Sequence, residues 1–488
     1  MKSLMVVGTT SHAGKSIITT AICRILARRG WRVTPFKGQN MALNSYVTDS
    51  GGEIGYAQAL QAWAAGVIPA VEMNPILLKP QGDMTSQVVF RGKALGKISA
   101  TDYYDRYFDI GWQTIQECLQ QLASEFDLIV CEGAGSPAEI NLMHRDLTNM
   151  RIAKYLNAPT VLVVDIDRGG AFAHVVGTLQ LLPPEERALI RGIIINKFRG
   201  QRSILQPGIN WLEEYTGLPV LGVIPWMDEV FPAEDSLSLF EERSSKPNSD
   251  LTIGVIRLPR ISNFTDFDPL EAEPSVKVKY ISPNQSLGHP DALIIPGSKT
   301  TIPDLLILHK TGMAQAIKDY VASGGTVLGI CGGMQILGQM VADPEGFEGE
   351  EGRYEGLGLL PVKTIISGQK ISRQRTVTSN YPQMGLPVMG YEIHQGRSQI
   401  QATSNTEPLF DDPNLGIVDT YQSVWGTYLH GIFDNGPWRR AWLNRLRQQR
   451  GLKSLPTGIP NYREQREAIL DTLANTVNSH VNLNTLLS

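Results

Sequence analysis

The chain has 488 residues, which predicts two large domains or about three smaller ones at roughly 150 residues each. Its 44 Lys and Arg residues against 48 Asp and Glu residues give a formal net charge of −4, which argues against a general nucleic-acid-binding protein. No signal peptide is expected at the start of the sequence, and no apolar run approaches the ~20 residues of a membrane span. We therefore expect a soluble cytoplasmic protein. Neither a disulfide framework nor a zinc site is expected from the four cysteines, Cys23, Cys118, Cys131 and Cys331.

Short apolar segments alternate with amphipathic segments through the first half of the chain. A strand is predicted at residues 3–8, followed by a helix at 15–29 that Gly30 ends. The further predicted strands are 127–131, 160–165, 190–195 and 219–223, and the further predicted helices lie near 53–66, 146–156, 170–182 and 206–216. This alternation predicts a doubly wound α/β domain in which helices cover both faces of a parallel sheet.

A polar stretch at residues 235–250 predicts a linker, after which a second α/β series begins. The predicted strands of this series are 251–256, 292–295, 326–330 and 424–429, with helices near 302–322 and 332–340 and a surface loop at 343–356. We therefore predict two α/β domains, at residues 1–243 and 251–450, and a helical C-terminal tail at 451–488.

A glycine-rich segment, Gly8-Thr-Thr-Ser-His-Ala-Gly14-Lys15-Ser16, lies between the first strand and the first helix. Backbone N–H groups at the N-terminus of a helix can bind phosphates, so Thr9 and Gly14 are predicted to contact a nucleotide. Lys15 is predicted to reach its outer phosphates, and the Ser16 hydroxyl to bind Mg²⁺. The strict motif has four residues between its glycines, whereas five separate Gly8 from Gly14 here. The alternative is a glycine turn that only starts a helix.

Polar residues at the ends of other predicted strands are candidates for the same site. Glu132 ends an apolar strand and precedes Gly-Ala-Gly, so it is our candidate Mg²⁺ ligand, with an exposed strand-end acid as the alternative. Asp49 is a weaker candidate ligand, because an Asp before Ser-Gly-Gly often only forms a turn. Lys37 is predicted to steady a transferred phosphoryl group or else to be solvated. Asn196 resembles the strand-end Asn that reads nucleobases in P-loop proteins, although such a residue often only forms a turn.

Two further polar segments are candidates for binding the acceptor substrate. The first carries Gln39, Asn40 and Asn44, and the second carries Asp167 and Arg168 after a predicted strand. Amide and hydroxyl groups suit a substrate with many amides and carboxylates. Ordinary polar loops are the alternative interpretation.

Residues 326–338 predict a strand, a sharp turn and a helix, with Cys331 at the turn. The arrangement Gly-x-Cys-x-Gly is typical of a nucleophile elbow, whose strained backbone needs small neighbours. A helix N-terminus stabilises a thiolate, so we predict that Cys331 is a catalytic nucleophile. A buried structural cysteine is the alternative.

A cysteine nucleophile needs a base and donors for the developing oxyanion. His430 is the predicted base, because the strand predicted at 424–429 ends at this His-Gly pair; His394 is the alternative. The backbone N–H groups of Gly297 and Gly332 are the predicted oxyanion donors.

These motifs together resemble known families. The elbow Gly-Ile-Cys-Gly-Gly-Met-Gln with a distant Leu-His-Gly resembles the class I glutamine amidotransferases. The long P-loop and Glu-Gly-Ala-Gly resemble the dethiobiotin synthetase type of P-loop domain. The order of the two domains is similar to the cobyrinic and cobyric acid synthases of cobalamin biosynthesis. The motifs that most resemble cobyric acid synthases are Lys37-Gly-Gln-Asn-Met, Asp165-Ile-Asp-Arg-Gly-Gly, Asn196-Lys-Phe-Arg-Gly and Gly390-Tyr-Glu-Ile-His.

The resemblance implies a glutamine-hydrolysing amidoligase that uses ATP and Mg²⁺. Its implied substrates are small molecules, glutamine and the corrinoid adenosylcobyrinic acid a,c-diamide, which is amidated at four carboxylates; neither nucleic acid nor a membrane is implied. We predict that ATP activates each carboxylate as an acyl phosphate, which ammonia from glutamine then displaces. Two alternatives stay open: another amidoligase of this architecture, such as cobyrinic acid a,c-diamide synthase, and a non-enzymatic P-loop switch. The oligomeric state is also open.

One position departs from the amidotransferase pattern. Ordinary class I enzymes carry a Glu two residues after the catalytic histidine, where this chain has Ile432. The cobyric acid synthases also lack this Glu. We therefore expect a Cys–His dyad in which the group that orients His430 is unknown.

Overall fold

The computed structural model describes residues 2–82, 84–227, 246, 249–401 and 403–487. The predicted domain boundary at 243, and most of the predicted linker at 235–250, lie outside the described residues. Within the described ranges, no helix is both long and apolar enough to cross a membrane.

The front part of the chain, residues 2–227, carries the first α/β unit. Its strands and helices follow in the order β1 (Lys2–Gly8), α1 (Lys15–Arg28), β2 (Val33–Phe36), β3 (Gln39–Met41), β4 (Ser45–Val47), β5 (Glu53–Gly55), α2 (Tyr56–Ala64), β6 (Ile76–Gly82), β7 (Thr85–Phe90), β8 (Lys93–Ser99), α3 (Ala100–Glu125), β9 (Leu128–Glu132), α4 (Met150–Leu156), β10 (Thr160–Asp165), α5 (Ala171–Leu181), α6 (Pro184–Arg187), β11 (Ile190–Phe198), α7 (Arg202–Thr216) and β12 (Val220–Pro225).

A six-stranded parallel sheet forms the centre of this unit, in the order β12-β11-β10-β1-β9-β2. Strand β1 is buried on both faces, because Leu4 and Val6 pack in one apolar cluster and Met5 and Val7 pack in another. The predicted doubly wound α/β fold is therefore confirmed. Val6 pairs with Glu132 in the neighbouring strand β9, so the loop after β1 and this carboxylate lie at the same edge of the sheet.

An unpredicted insertion lies between β2 and β9. It contains a four-stranded sheet in the order β3-β6-β7-β8, the two-stranded hairpin β4-β5, and the long helix α3. Several of these strands have only three residues, too few to show a reliable alternation of polar and apolar side chains. This insertion carries the polar segment that contacts the back part of the chain.

The back part of the chain carries the second α/β unit and the tail. Its strands and helices are β13 (Leu251–Ile256), β14 (Ile261–Ser262), α8 (Asp268–Glu271), β15 (Val276–Ile281), β16 (Ala292–Ile295), β17 (Gly297–Ser298), α9 (Thr301–Thr311), α10 (Met313–Ala322), β18 (Thr326–Ile330), α11 (Gly332–Leu337), β19 (Met340–Asp343), β20 (Gly352–Glu355), β21 (Val362–Thr378), β22 (Pro387–Ile400), β23 (Thr406–Pro408), β24 (Gly416–Asp419), β25 (Val424–Thr427), β26 (Leu429–His430), α12 (Gly436–Gln449), α13 (Tyr462–His480) and α14 (Asn484–Leu487).

Two sheets position the site in the back part. A seven-stranded sheet runs β15-β13-β16-β18-β25-β24-β23, with its first five strands parallel, and a five-stranded sheet runs β20-β19-β21-β22-β26. The strand predicted at 424–429 is divided between the two sheets, because the chain leaves the first sheet after β25 and enters the second as β26. This change places His430 opposite Tyr391 of β22.

The C-terminal tail returns to the front part of the chain. Helix α13 packs against α1, where Arg24 Nε donates a hydrogen bond to Asp471 Oδ1 at 2.8 Å. Leu470 and Leu473 belong to the same apolar cluster as α1 and β1. The helical tail therefore completes the cover on one face of the front sheet.

Candidate active sites

The P-loop folds around the side chain of Lys15. The Lys15 ammonium donates hydrogen bonds to the carbonyl oxygens of Thr10, at 2.9 Å, and Gly135, at 3.1 Å. Gly14 has a φ of +98°, and a Cβ at this position would lie 2.1 Å from Asn196 Nδ2. Only glycine therefore fits this turn, which presents the first N–H groups of α1 as a phosphate site.

Two predicted nucleotide contacts also support the P-loop itself. Asn196 Nδ2 donates a hydrogen bond to the Ala13 carbonyl oxygen at 2.9 Å, which ties the end of β11 to the loop. The N–H of Thr9 donates to the carbonyl oxygen of Val163, whereas its buried hydroxyl has no hydrogen-bond partner among the described residues. Recognition of a nucleobase by Asn196 and contact of Thr9 with a nucleotide stay predictions.

A fully buried carboxylate, Glu132, lies at the centre of the front site. Its Oε1 accepts hydrogen bonds from Ser16 Oγ at 2.8 Å and from Lys37 Nζ at 2.7 Å, and its Oε2 accepts one from Gln61 Nε2. The structure therefore brings together three residues that the sequence predicted separately, Ser16, Lys37 and Glu132. Sequence reasoning missed Gln61 because nothing near it in the chain marks this helix position as polar by necessity.

The remaining acidic and basic candidates of the front part lie further out. Asp49 occupies the exposed turn between β4 and β5, and no contact within the described residues joins it to Glu132. Asp167 accepts a hydrogen bond from Arg199 Nε at 3.1 Å, and Arg168 is exposed beside it. A metal-binding role for Asp49 and substrate contacts by the other two residues stay predictions.

The three amide candidates have protein partners. Gln39 Oε1 accepts a hydrogen bond from the Tyr103 hydroxyl at 2.5 Å, and Asn40 Nδ2 donates one to Gln58 Oε1 at 2.9 Å. Asn44 is buried, and its Oδ1 accepts from a backbone N–H of the back part, while its Nδ2 has no partner among the residues described. These amides fix the polar loop, and their contact with substrate stays a prediction.

The predicted nucleophile elbow is present between β18 and α11. Cys331 has a φ of +51°, a strained conformation for a residue with a side chain, and is 8% exposed. A Cβ at Gly333 would lie 1.9 Å from the carbonyl oxygen of Ile295, and one at Gly329 would lie 2.5 Å from the backbone of Gly333. The glycines around the cysteine are therefore required by backbone packing.

The expected Cys–His dyad is wrong, because Asp266 provides the missing third residue. Its Oδ2 lies 2.7 Å from His430 Nδ1, and its Oδ1 accepts a hydrogen bond from the N–H of Gly431 at 2.8 Å. Burial alone would lower the pKa of His430, but the charge and hydrogen bonds of Asp266 and Cys331 raise it to about 10. The histidine can therefore hold a proton beside the thiol.

The alternative base, His394, has a different environment. Its Nδ1 lies 2.8 Å from the Gly396 carbonyl oxygen, its Nε2 lies 3.3 Å from Glu392 Oε2, and its ring stacks on Tyr428 at 3.7 Å. His394 lines the same cavity as Cys331. Its ring is fixed by these contacts, whereas Asp266 and the thiol lie at His430.

The two predicted oxyanion residues also lie at this site. A Cβ at Gly297 would lie 3.3 Å from His430 Cε1, and one at Gly332 would lie 2.9 Å from the backbone nitrogen of Ser298. The backbone is thus packed closely around the thiol. Donation to an oxyanion by these two N–H groups stays a prediction.

The cavity that contains Cys331 and His430 is also lined by a residue of the front part, Lys79. Lys79 Nζ lies 2.7 Å from Glu53 Oε1, and Lys370 of the back part binds the other oxygen of the same carboxylate. Although burial alone would raise the pKa of Glu53, the two ammonium groups hold it below its ordinary value. The glutaminase-type site therefore lies at the interface between the two units.

One short segment of the front part touches both sites. At its start, Lys37 binds Glu132; at its end, the Ser45 N–H donates to Asn263 Oδ1 at 3.0 Å. The Tyr391 hydroxyl donates to the Ser45 carbonyl oxygen at 3.1 Å, and the Tyr391 ring stacks on the imidazole that Asp266 holds, with centroids 5.4 Å apart. Residues 37–45 therefore connect the phosphate site to the cysteine site.

Comparisons with known proteins match both units. Residues 4–239 match the family described as the CobQ/CobB/MinD/ParA nucleotide binding domain, and residues 252–438 match the CobB/CobQ-like glutamine amidotransferase domain. A solved structure described as a glutamine amidotransferase shares 16% sequence identity, with 40% of this chain and 97% of that chain covered and a TM-score of 0.30.

Curated relatives match along the whole chain. The cobyric acid synthase of Nostoc sp. is 74% identical over 100% of this chain and 99% of its own length. Those of Trichodesmium erythraeum and Synechococcus elongatus are 69% and 64% identical, each over 100% of both chains.

These matches bear on the alternatives left open by the sequence. The first unit is a nucleotide-binding domain of the kind that binds ATP, and the second is a glutamine amidotransferase domain. The full-length relatives favour neither a cobyrinic acid a,c-diamide synthase nor a non-enzymatic P-loop switch. The chain belongs to the cobyric acid synthase family, the glutamine-dependent amidoligases of cobalamin biosynthesis.

Proposed function

We propose that this enzyme converts adenosylcobyrinic acid a,c-diamide to adenosylcobyric acid by amidating four carboxylates, with glutamine as nitrogen donor and the cytoplasm as its location. The substrate is inferred from the family. The observation that carries the division of labour is the segment 37–45, which contacts Glu132 of the phosphate site and the surroundings of His430. Two chemistries joined by one rigid segment fit an enzyme that must consume in one site what it releases in the other.

In the back part, Cys331 attacks the side-chain amide carbon of glutamine. His430 accepts the thiol proton and donates it to the departing nitrogen, so that ammonia leaves and a thioester remains. Asp266 holds the ring in one orientation and stabilises its protonated form. A water molecule then attacks the thioester and releases glutamate, while the thiol regains its proton.

In the front part, the terminal phosphoryl group of ATP is transferred to a corrinoid carboxylate. The products of this step are ADP and an acyl phosphate, whose phosphate is a far better leaving group than the oxygen of a free carboxylate. Ammonia attacks the acyl carbon, and the amide forms as inorganic phosphate leaves. Lys15 and Lys37 stabilise the negative charge that develops on the phosphoryl oxygens.

The residues of the front site fit Mg²⁺. Ser16 Oγ and Glu132 Oε1 lie 2.8 Å apart and are the hard oxygen donors that this ion prefers. The described residues contain no cluster of three or more His, Cys, Asp or Glu side chains that could hold a metal by themselves. Nucleotide phosphates would therefore complete the ligand set, and the bound ion would neutralise phosphate charge.

Ammonia must reach the acyl phosphate before it is protonated, because ammonium has no lone pair with which to attack. The Cys331 cavity is lined on one side by Lys79 of the front part. The ammonium groups of Lys79 and Lys370 around this cavity disfavour another cation there. We infer that ammonia passes in its neutral form across this interface.

Substitution of the nucleophile tests this division of labour. Cys331→Ala should abolish glutamine-dependent amidation and retain amidation with added ammonium salts, as followed by mass spectrometry of the corrinoid product. Cys118→Ala, at a buried cysteine of α3, is the matched control and should retain both activities. Loss of both activities in a folded Cys331→Ala protein would contradict the proposal.

A further inference from the structure

Two charged residues of the Cys331 cavity have no part in the chemistry described above. Lys299 directly follows β17, and Glu348 lies in the segment between β19 and β20. Both line the cavity that holds Cys331 and His430. The sequence predicted a surface loop at 343–356, but Glu348 instead reaches inward to the start of α9.

The Lys299 ammonium lacks a counter-ion of its own. It is 8% exposed and forms no hydrogen bond or salt bridge with any residue that the structure describes. Lys79 and Lys370, which line the same cavity, both bind Glu53. Lys299 is thus the cation of this wall whose charge is left for a ligand.

Glu348 is held rigidly through one of its two oxygens. Its Oε2 accepts hydrogen bonds from the N–H groups of Thr301, at 2.5 Å, and Ile302, at 3.4 Å, while its own N–H donates to Asp343 Oδ2 at 2.8 Å. Within the described residues, Oε1 makes no hydrogen bond. A carboxylate fixed in this way offers a pre-organised acceptor to a bound cation.

Both groups gain from a ligand that brings the opposite charge. Burial, together with the nearby ammonium groups of Lys370 and Lys79, lowers the pKa of Lys299 to about 7. Burial raises the pKa of Glu348 to about 7. A zwitterion that carries a carboxylate and an ammonium group on one carbon would stabilise both charged forms at once.

We propose that Lys299 binds the α-carboxylate of glutamine and Glu348 binds its α-ammonium group, which places the side-chain amide at Cys331. This inference rests on the proposed hydrolysis of glutamine at that cysteine. A polyanionic corrinoid would be repelled by Glu348, and an ammonium ion would be repelled by Lys299. Of the reaction's substrates, glutamine alone carries both complementary charges close together.

Two substitutions test the site through the Michaelis constant of glutaminase activity. Lys299→Met and Glu348→Gln should each raise the KM for glutamine by about 10- to 100-fold, the range expected when a charge-assisted hydrogen bond is lost, with a smaller change in kcat. Lys310→Met and Glu350→Gln, at exposed positions on α9 and beside Glu348, are the matched controls and should leave KM unchanged.

Glutamine analogues separate recognition from a merely structural role. 4-Aminobutanamide lacks the α-carboxylate, and glutaramate lacks the α-ammonium group. Lys299→Met should raise the KM for glutamine and glutaramate but not for 4-aminobutanamide. Glu348→Gln should raise it for glutamine and 4-aminobutanamide but not for glutaramate. Lys299→Arg keeps the charge and should retain the parent's preference for glutamine over 4-aminobutanamide, which tests the site even where Lys299→Met does not fold.

The possible outcomes are distinct. Selective loss of discrimination, in the pattern given, supports the proposal. An equal rise in KM for glutamine and both analogues, or no rise for any of them, overturns it. A parent enzyme without Cys331-dependent glutaminase activity would instead overturn the proposed function, so the two failures can be told apart.

Discussion

Nδ1 of His430 lies 2.7 Å from Oδ2 of Asp266, a residue 164 positions earlier in the chain. Class I amidotransferases carry a Glu two residues after the histidine, but Ile432 occupies that position here. The carboxylate is supplied instead by the turn after β14, which also binds the N–H of Gly431. The histidine is thus fixed at two points by one side chain.

Asp266→Asn should lower kcat for glutamine hydrolysis by about 10²- to 10⁴-fold, because the ring loses its orienting carboxylate. Asp266 raises the pKa of His430. Removal of its charge should therefore lower that pKa and move the alkaline limb of the pH profile of kcat/KM to lower pH. Ammonium-dependent amidation should be retained. An unchanged kcat with an unchanged alkaline limb would show that Asp266 has no such role.

Glu132→Gln should lower the free energy of unfolding by about 3–5 kcal/mol, because it leaves the buried Lys37 ammonium without its counter-ion. Urea denaturation measures this loss. ATP-dependent amidation should also be lost. The double variant Lys37→Met/Glu132→Gln removes both charges, so it should recover most of the stability but not the activity. Equal stability of Glu132→Gln and the parent is the result that this explanation forbids.

Gly14→Ala should abolish nucleotide binding, because the new methyl group would lie 2.1 Å from Asn196 Nδ2 and displace the loop. Gly30→Ala is the matched control. Gly30 has a φ of +87° with nothing within 4 Å of the added Cβ, so this variant carries the left-handed strain of about 1–2 kcal/mol without a clash. Titration with a fluorescent ATP analogue should show binding to Gly30→Ala and none to Gly14→Ala. Comparable affinities in the two variants would disprove the steric argument.

Tyr391→Phe should loosen the contact between the two units while it keeps the ring that stacks on His430. The lost hydrogen bond to the Ser45 carbonyl oxygen holds the end of segment 37–45. We expect glutamine hydrolysis to continue, with more glutamate released per amide formed than in the parent. Parallel assays of glutamate and corrinoid amide give this ratio. A ratio equal to that of the parent would show that the contact does not couple the sites.

The sequence predicted those features that depend on neighbouring residues. The P-loop around Lys15 and the elbow at Cys331 were visible because their glycines and functional side chains lie within one strand, turn and helix. The parallel sheets were visible for the same reason, since buried parallel strands are continuous apolar runs. Glu132 was found because it ends such a run.

Features that depend on distant contacts were not visible. Asp266 contacts His430 across 164 positions, and Gln61 contacts Glu132 across 71, so no local pattern marks either residue. Asn44 was expected to bind substrate because of its amide, yet its Oδ1 accepts the N–H of Phe264 at the interface. A polar side chain in a loop has the same signature whether its partner is a ligand or another domain.

The central claim is that nitrogen released at Cys331 is consumed in the front part without mixing with solvent ammonia. Glutamine labelled with ¹⁵N in its side-chain amide, supplied together with excess unlabelled ammonium near neutral pH, tests this directly. Mass spectrometry of the corrinoid amides should find them almost fully labelled. Amides labelled only in proportion to the mixed ammonia pool would contradict the account.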